Sequence, residues 1–89
     1  MISKYLVSLD EVAKVRDEHL AYLDSLAERG VLVGAGRQDP PVGGMILLNV
    51  DDEARARELI AEDPYVIHGT AEYTPLGWNV TKGTLAEKF

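Results

Sequence analysis

The residue order of this chain predicts an α+β domain of the ferredoxin-like βαββαβ type, a four-stranded antiparallel sheet with two helices on one face. Three observations predict it. Two segments carry apolar residues at helical spacing, and each is bracketed by short runs of strand-forming residues. Glycines, prolines and aspartates punctuate the junctions. At 89 residues the chain is long enough for one hydrophobic core and no more, so 1–89 is read as a single domain with its core at about 3–78 and a tail at 79–89.

The elements follow in order. Lys4 to Leu9 is a β-prone run. Asp10 stands where a helix N-cap belongs, and Glu11 suits the positive end of the helix dipole. Val12, Val15, Leu20, Leu23, Leu26 and Ala27 then recur at helical spacing until Gly30 supplies a C-terminal stop. Val31 to Ala35 reads as the second strand, Gly36 to Gly44 as a proline- and glycine-rich connection, and Met45 to Val50 as the third strand. Asp51 and Asp52 cap a second helix that turns Ala56, Leu59 and Ile60 inward and stops before Pro64. A last strand occupies about Gly69 to Trp78.

Two helices cover only one face of a sheet, and an uncovered face should alternate polar with apolar. Met45-Ile46-Leu47-Leu48 and Val31-Leu32-Val33 are apolar on both faces instead, and Leu6 flanks Tyr5 and Val7 in the same way. The expectation is a homodimer in which a second copy stacks sheet on sheet around a cavity. The alternative is that the tail, with Val80, Leu85, Ala86 and Phe89, folds over that face.

Composition narrows the function. The absence of cysteine removes disulfides, thiolate nucleophiles and iron–sulfur ligation together. A net charge of -6 disfavours nucleic acid as a partner. No apolar run approaches the ~20 residues of a membrane span. The opening MISKYLVSLDE turns acidic too early for a signal peptide, so a cytoplasmic location is expected. Gly34-Ala35-Gly36 lacks the third glycine and the following helix of a dinucleotide fingerprint, and no cofactor is expected.

Few residues are left to do chemistry. His19 lies beside the apolar stripe of the first helix, one turn after Arg16 on the same side. Its ordinary pKa of about 6.5 suits a general acid or base, although a boundary histidine bonded to a backbone carbonyl fits the same spacing. Asp63 sits at the end of the second helix, where the dipole disfavours a carboxylate, although Asp-Pro is also a common way out of a helix. Both helices lie on one sheet face, so the two side chains are able to meet. His19, His68 and Asp63 match no metal-ligand spacing, and no metal is expected. His68 flanks the last strand, and Tyr65, Tyr73 and Trp78 provide aromatic surface near it.

The run Arg16-x-x-His19-Leu20-x-x-Leu23-x-x-Leu26, then Gly30-x-Leu32-x-x-Ala35-Gly36, then Asp63-Pro64-Tyr65, then a strand ending at Trp78, resembles the YciI-like (YCII-related) family over about residues 3–78. The resemblance implies a dimeric α+β barrel, akin in fold to muconolactone isomerases, and a catalytic pair at His19 and Asp63. Where relatives often carry proline after the Ala-Gly pair this chain has Arg37, and its Arg37–Gly43 connection is short. Arg37 either reaches the pocket mouth to attract an anion or is simply solvated.

Two functions follow as expectations. The first is a cofactor-independent isomerase- or lyase-like enzyme acting on a small metabolite. His19 transfers the proton, Asp63 orients it, Arg16 or Arg37 holds an anionic group, and Tyr65 and Trp78 contact the substrate. The second is a non-catalytic module that binds a small molecule or a protein, in a cavity lined by Tyr5, Tyr65 and Trp78.

Overall fold

The computed structural model describes residues 1–88; Phe89, one of the apolar residues offered by the tail, lies outside the described residues. The elements are β1 (Ile2–Tyr5), α1 (Leu9–Glu28), β2 (Leu32–Arg37), β3 (Gly44–Leu48), α2 (Glu53–Ile60), α3 (Pro64–Ile67) and β4 (Ala71–Thr74), followed by a 3-10 turn at Thr84–Lys88. The strands pair antiparallel in the order β2-β3-β1-β4, the ferredoxin-like arrangement. The helical layer has three pieces where two were expected, because the chain breaks at Asp63-Pro64.

The first strand ends earlier than its composition predicts. Tyr5 is its last residue, and Leu6 and Val7 lie in an exposed bend. The N-cap of α1 is therefore Ser8, whose hydroxyl accepts from the Glu11 N–H, while Asp10 and Glu11 occupy the first turn. Gly30 ends the helix with φ 74°, a conformation that L side chains adopt only with strain. Asp52 caps α2 by accepting from the Arg55 N–H.

Two buried clusters fill the space between helices and sheet. Leu23, Leu26, Ile46, Leu59 and Ile60 form one, and Val12, Tyr65 and Ala71 form the other. On α1 the buried positions are Val12, His19, Leu23 and Leu26, so the inward face includes the histidine, while Leu20 and Ala27 are exposed.

The opposite sheet face is apolar, but β2 contributes less than expected. A bulge between Leu32 and Gly34 shifts the register, after which Gly34 pairs with Leu47 and Gly36 with Met45. The face is thus built from Ile2, Met45 and Leu47, with two glycines opposite them. Leu76 and Trp78 flank it, both largely exposed, and together these residues border a depression of about 450 Å³. β4 stops at Thr74, so Trp78 lies beyond the last strand and not within it.

Candidate functional site

The break after α2 creates the site. Helix α2 ends at Ile60, three residues before Asp63, and Asp63 is the N-cap of α3, where its side chain accepts from the Tyr65 N–H. This corrects the expectation that Asp63 opposes a helix dipole at a C-terminus: a carboxylate at an N-terminus is electrostatically favoured. Pro64, at the first position of α3, lacks the N–H that would otherwise need a partner there.

Asp63 is completely buried and each of its oxygens is engaged. Oδ1 lies 2.7 Å from His19 Nδ1 and 3.1 Å from the Tyr65 N–H that it accepts from, while Oδ2 accepts from the Tyr73 hydroxyl at 2.8 Å. An ionised carboxylate only accepts hydrogen bonds, so the proton in the His19–Asp63 contact belongs to Nδ1. In the neutral imidazole Nε2 then carries the lone pair. It has no hydrogen-bond partner among the described residues, and no buried side-chain nitrogen or oxygen lacks one, so Nε2 opens to solvent.

The imidazole is held from its face as well as its edge. Tyr65 stacks on it with ring centroids 3.8 Å apart and planes 6° apart. Tyr5 meets Tyr65 edge-on, with centroids 6.2 Å apart at 89°. Tyr73, read from the sequence only as aromatic surface near His68, is the partner of Asp63 that sequence reasoning missed. It is half-buried on the same side of β4 as buried Ala71, and an inward phenol demands a partner, a signal that could have marked it. Burial first, and the Asp63 carboxylate second, hold the Tyr73 phenol well above the ordinary tyrosine pKa, so it remains a donor.

Outside the dyad lies a cleft of about 210 Å³ between α1 and the open end of the sheet, with His19, Arg16, Arg37, Tyr5 and Tyr65 on its walls. Arg37 is exposed yet engaged: its Nε donates to the Tyr5 hydroxyl at 3.2 Å and its guanidinium lies 5.7 Å from the Tyr5 ring centroid. Burial and the neighbouring Tyr5 raise the Tyr65 phenol, while Arg16 and Arg37 pull it the other way, which places both cations within electrostatic reach of it.

Five of the six residues singled out in the sequence therefore converge here, and Trp78 does not. It borders the depression on the far face of the sheet and takes no part in the cleft. His68, the C-cap of α3, faces Glu18 at 3.3 Å on the surface. Among the described residues no three potential metal ligands come together. Among the described residues no helix is long and apolar enough to cross a membrane.

The family model of the YCII-related domain matches residues 2–79, so the chain belongs to that family. No curated protein and no solved structure gives a significant match to the chain.

Proposed function

We propose that this member of the YCII-related domain family is a cofactor-independent acid–base enzyme that moves a proton on a small anionic metabolite, with isomerase- or lyase-like chemistry. The observation that carries the reading is the His19–Asp63 dyad, in which a buried carboxylate takes Nδ1 and leaves Nε2 facing a cleft. Asp63 fixes the tautomer and ring orientation and stabilises the imidazolium formed when Nε2 accepts a proton. A boundary histidine bonded to a backbone carbonyl would have no such geometry. Arg16 and Arg37 supply the positive charge that draws an anion to the mouth.

The proposed assembly is a homodimer, supported by the apolar face of Ile2, Met45 and Leu47, which the helices leave uncovered. Trp78, at the rim of that face, is assigned to the assembly and not to the substrate.

Proton transfer is tested before the full reaction is known. The protein is incubated in D2O with small carboxylates and ketones that bear an enolisable C–H, and exchange is followed by proton NMR. Catalysed exchange by wild type is expected, with His19→Ala lowering it by about a hundredfold or more. In parallel, nitrogen NMR of the imidazole should show the Nδ1–H tautomer in wild type and a mixture in Asp63→Asn. Undiminished exchange in His19→Ala would end the proposal; binding of a test compound without exchange would favour the binding-module reading.

A further inference from the structure

The four tyrosines of the chain are of two kinds. Tyr22 donates its hydroxyl proton to the Leu59 carbonyl and Tyr73 donates to Asp63. Tyr5 and Tyr65 donate to nothing among the described residues, and both line the cleft beside His19. Tyr5 Oη accepts from Arg37 Nε, which occupies one lone pair and directs the phenolic proton away from the guanidinium. The edge-to-face packing of the two rings fixes the hydroxyl-bearing groups relative to each other and to the imidazole stacked on Tyr65.

The charges are sorted in the same sense. The chain carries 15 acidic against 9 basic residues, yet no aspartate or glutamate lines the cleft, while Arg16 and Arg37 both do. Neither arginine is ion-paired to a carboxylate among the described residues. Asp63 itself is sealed behind the imidazole and satisfied by its own donors. Among the described residues the charged side chains lining the cleft are therefore all basic, in an acidic molecule.

We propose that Tyr5 and Tyr65, with Arg37 behind Tyr5, form an oxyanion site that stabilises the enolate produced when His19 takes a proton. The substrate class is then a small acid or ketone with a C–H beside its carbonyl. This deepens the proton-transfer reading and rests on it. As the C–H bond breaks, the proton passes to Nε2, its electron pair forms a carbon–carbon double bond, and the carbonyl π pair moves onto oxygen. The two hydroxyls donate to that oxygen, where the negative charge develops and prearranged donors are most effective. Where the substrate has a β,γ double bond, the resulting dienolate takes the proton back from the imidazolium at the γ carbon, giving the conjugated isomer; where it has a leaving group on the β carbon, the enolate expels that group with its electron pair.

The test uses 4-nitrophenol as the probe, since its anion is a coloured, planar oxyanion that resembles an enolate and is small enough for the cleft. Wild type should bind the anion in preference to the neutral phenol, seen as increased anion absorbance at a pH where the free probe is partly neutral. Tyr5→Phe and Tyr65→Phe should each weaken binding roughly tenfold or more, since a hydrogen bond to a charge is lost. Tyr22→Phe, the same change at a tyrosine committed to Leu59, should bind as wild type does. Absence of binding, preference for the neutral phenol, or equal losses in all three variants would overturn the oxyanion site. Loss of deuterium exchange with anion binding intact would count against proton transfer alone, so the two failures are distinguishable.

Discussion

Two clusters lie side by side beneath α1, and they are closed in different ways. The buried side chains of the cluster around Leu26 and Ile46 are all aliphatic and are held chiefly by volume and shape. The cluster around Val12 and Tyr65 adjoins a fully buried carboxylate, and it persists because three donors converge on that carboxylate. An apolar core tolerates imperfect fit at a graded cost, whereas a buried polar network loses heavily when one member is removed. The polar network reaches the cleft through His19, Tyr65 and Tyr73, while Leu23 and Ile46 of the apolar cluster form part of its wall, so the residues with most to lose structurally include those proposed to do chemistry.

The largest expected effect breaks the polar side of this contrast. Asp63→Ala leaves His19 Nδ1, the Tyr65 N–H and the Tyr73 hydroxyl without their acceptor, and should cost about 3–5 kcal/mol in denaturant unfolding. A loss below about 1 kcal/mol would mean that water replaces the carboxylate and that the network is not a unit. Leu26→Ala, at a side chain with no exposure, should cost about 3 kcal/mol and leave the imidazole tautomer of the folded protein unchanged. A changed tautomer there would show that the two clusters are coupled after all.

The smallest effect sharpens the comparison through pH. Tyr73→Phe removes one of the donors to Asp63 and should cost about 1–2 kcal/mol at neutral pH. The folded-state pKa of Tyr73 is raised, so folding favours its neutral form. That contribution is fully present below the unfolded tyrosine value of about 10 and is lost as pH rises above it, where only the unfolded chain readily gives up the proton. Tyr65 and Tyr22 are shifted in the same direction and add to the alkaline loss. The wild-type stability curve should therefore fall more steeply above about pH 10 than that of Tyr73→Phe. Parallel curves would show that Tyr73 does not report on the Asp63 network.

Much of this was legible in the residue order. The element sequence, the Gly30 stop, the Asp52 cap and the inward Ala56, Leu59 and Ile60 follow from periodicity and capping chemistry, which act over a few residues. His19 and Asp63 stood out for the same local reasons, although the reason given for Asp63 was wrong. Helix α2 ends at Ile60 and not at Asp63, a boundary shift of three residues that reverses the sign of the dipole argument. Likewise Leu6 and Val7 read as strand but form a bend, because β1 pairs with β4 only as far as Tyr5.

What the sequence determined by itself was the fold class, most of the inward-facing helix positions and the residue types available for chemistry, since these rest on short-range periodicity and composition. Only the tertiary structure decided who meets whom. His19 and Asp63 are 44 positions apart in the chain, Arg37 and Tyr5 are 32, and both contacts arise from the packing of α1 and the pairing of strands. The same packing sent Trp78 to the far face, recruited Tyr73 from β4, and committed the hydroxyls of Tyr22 and Tyr73 to internal acceptors while those of Tyr5 and Tyr65 donate to nothing among the described residues. Periodicity places a side chain on a face, but hydrogen-bond distances depend on how distant elements dock, which local pattern does not encode.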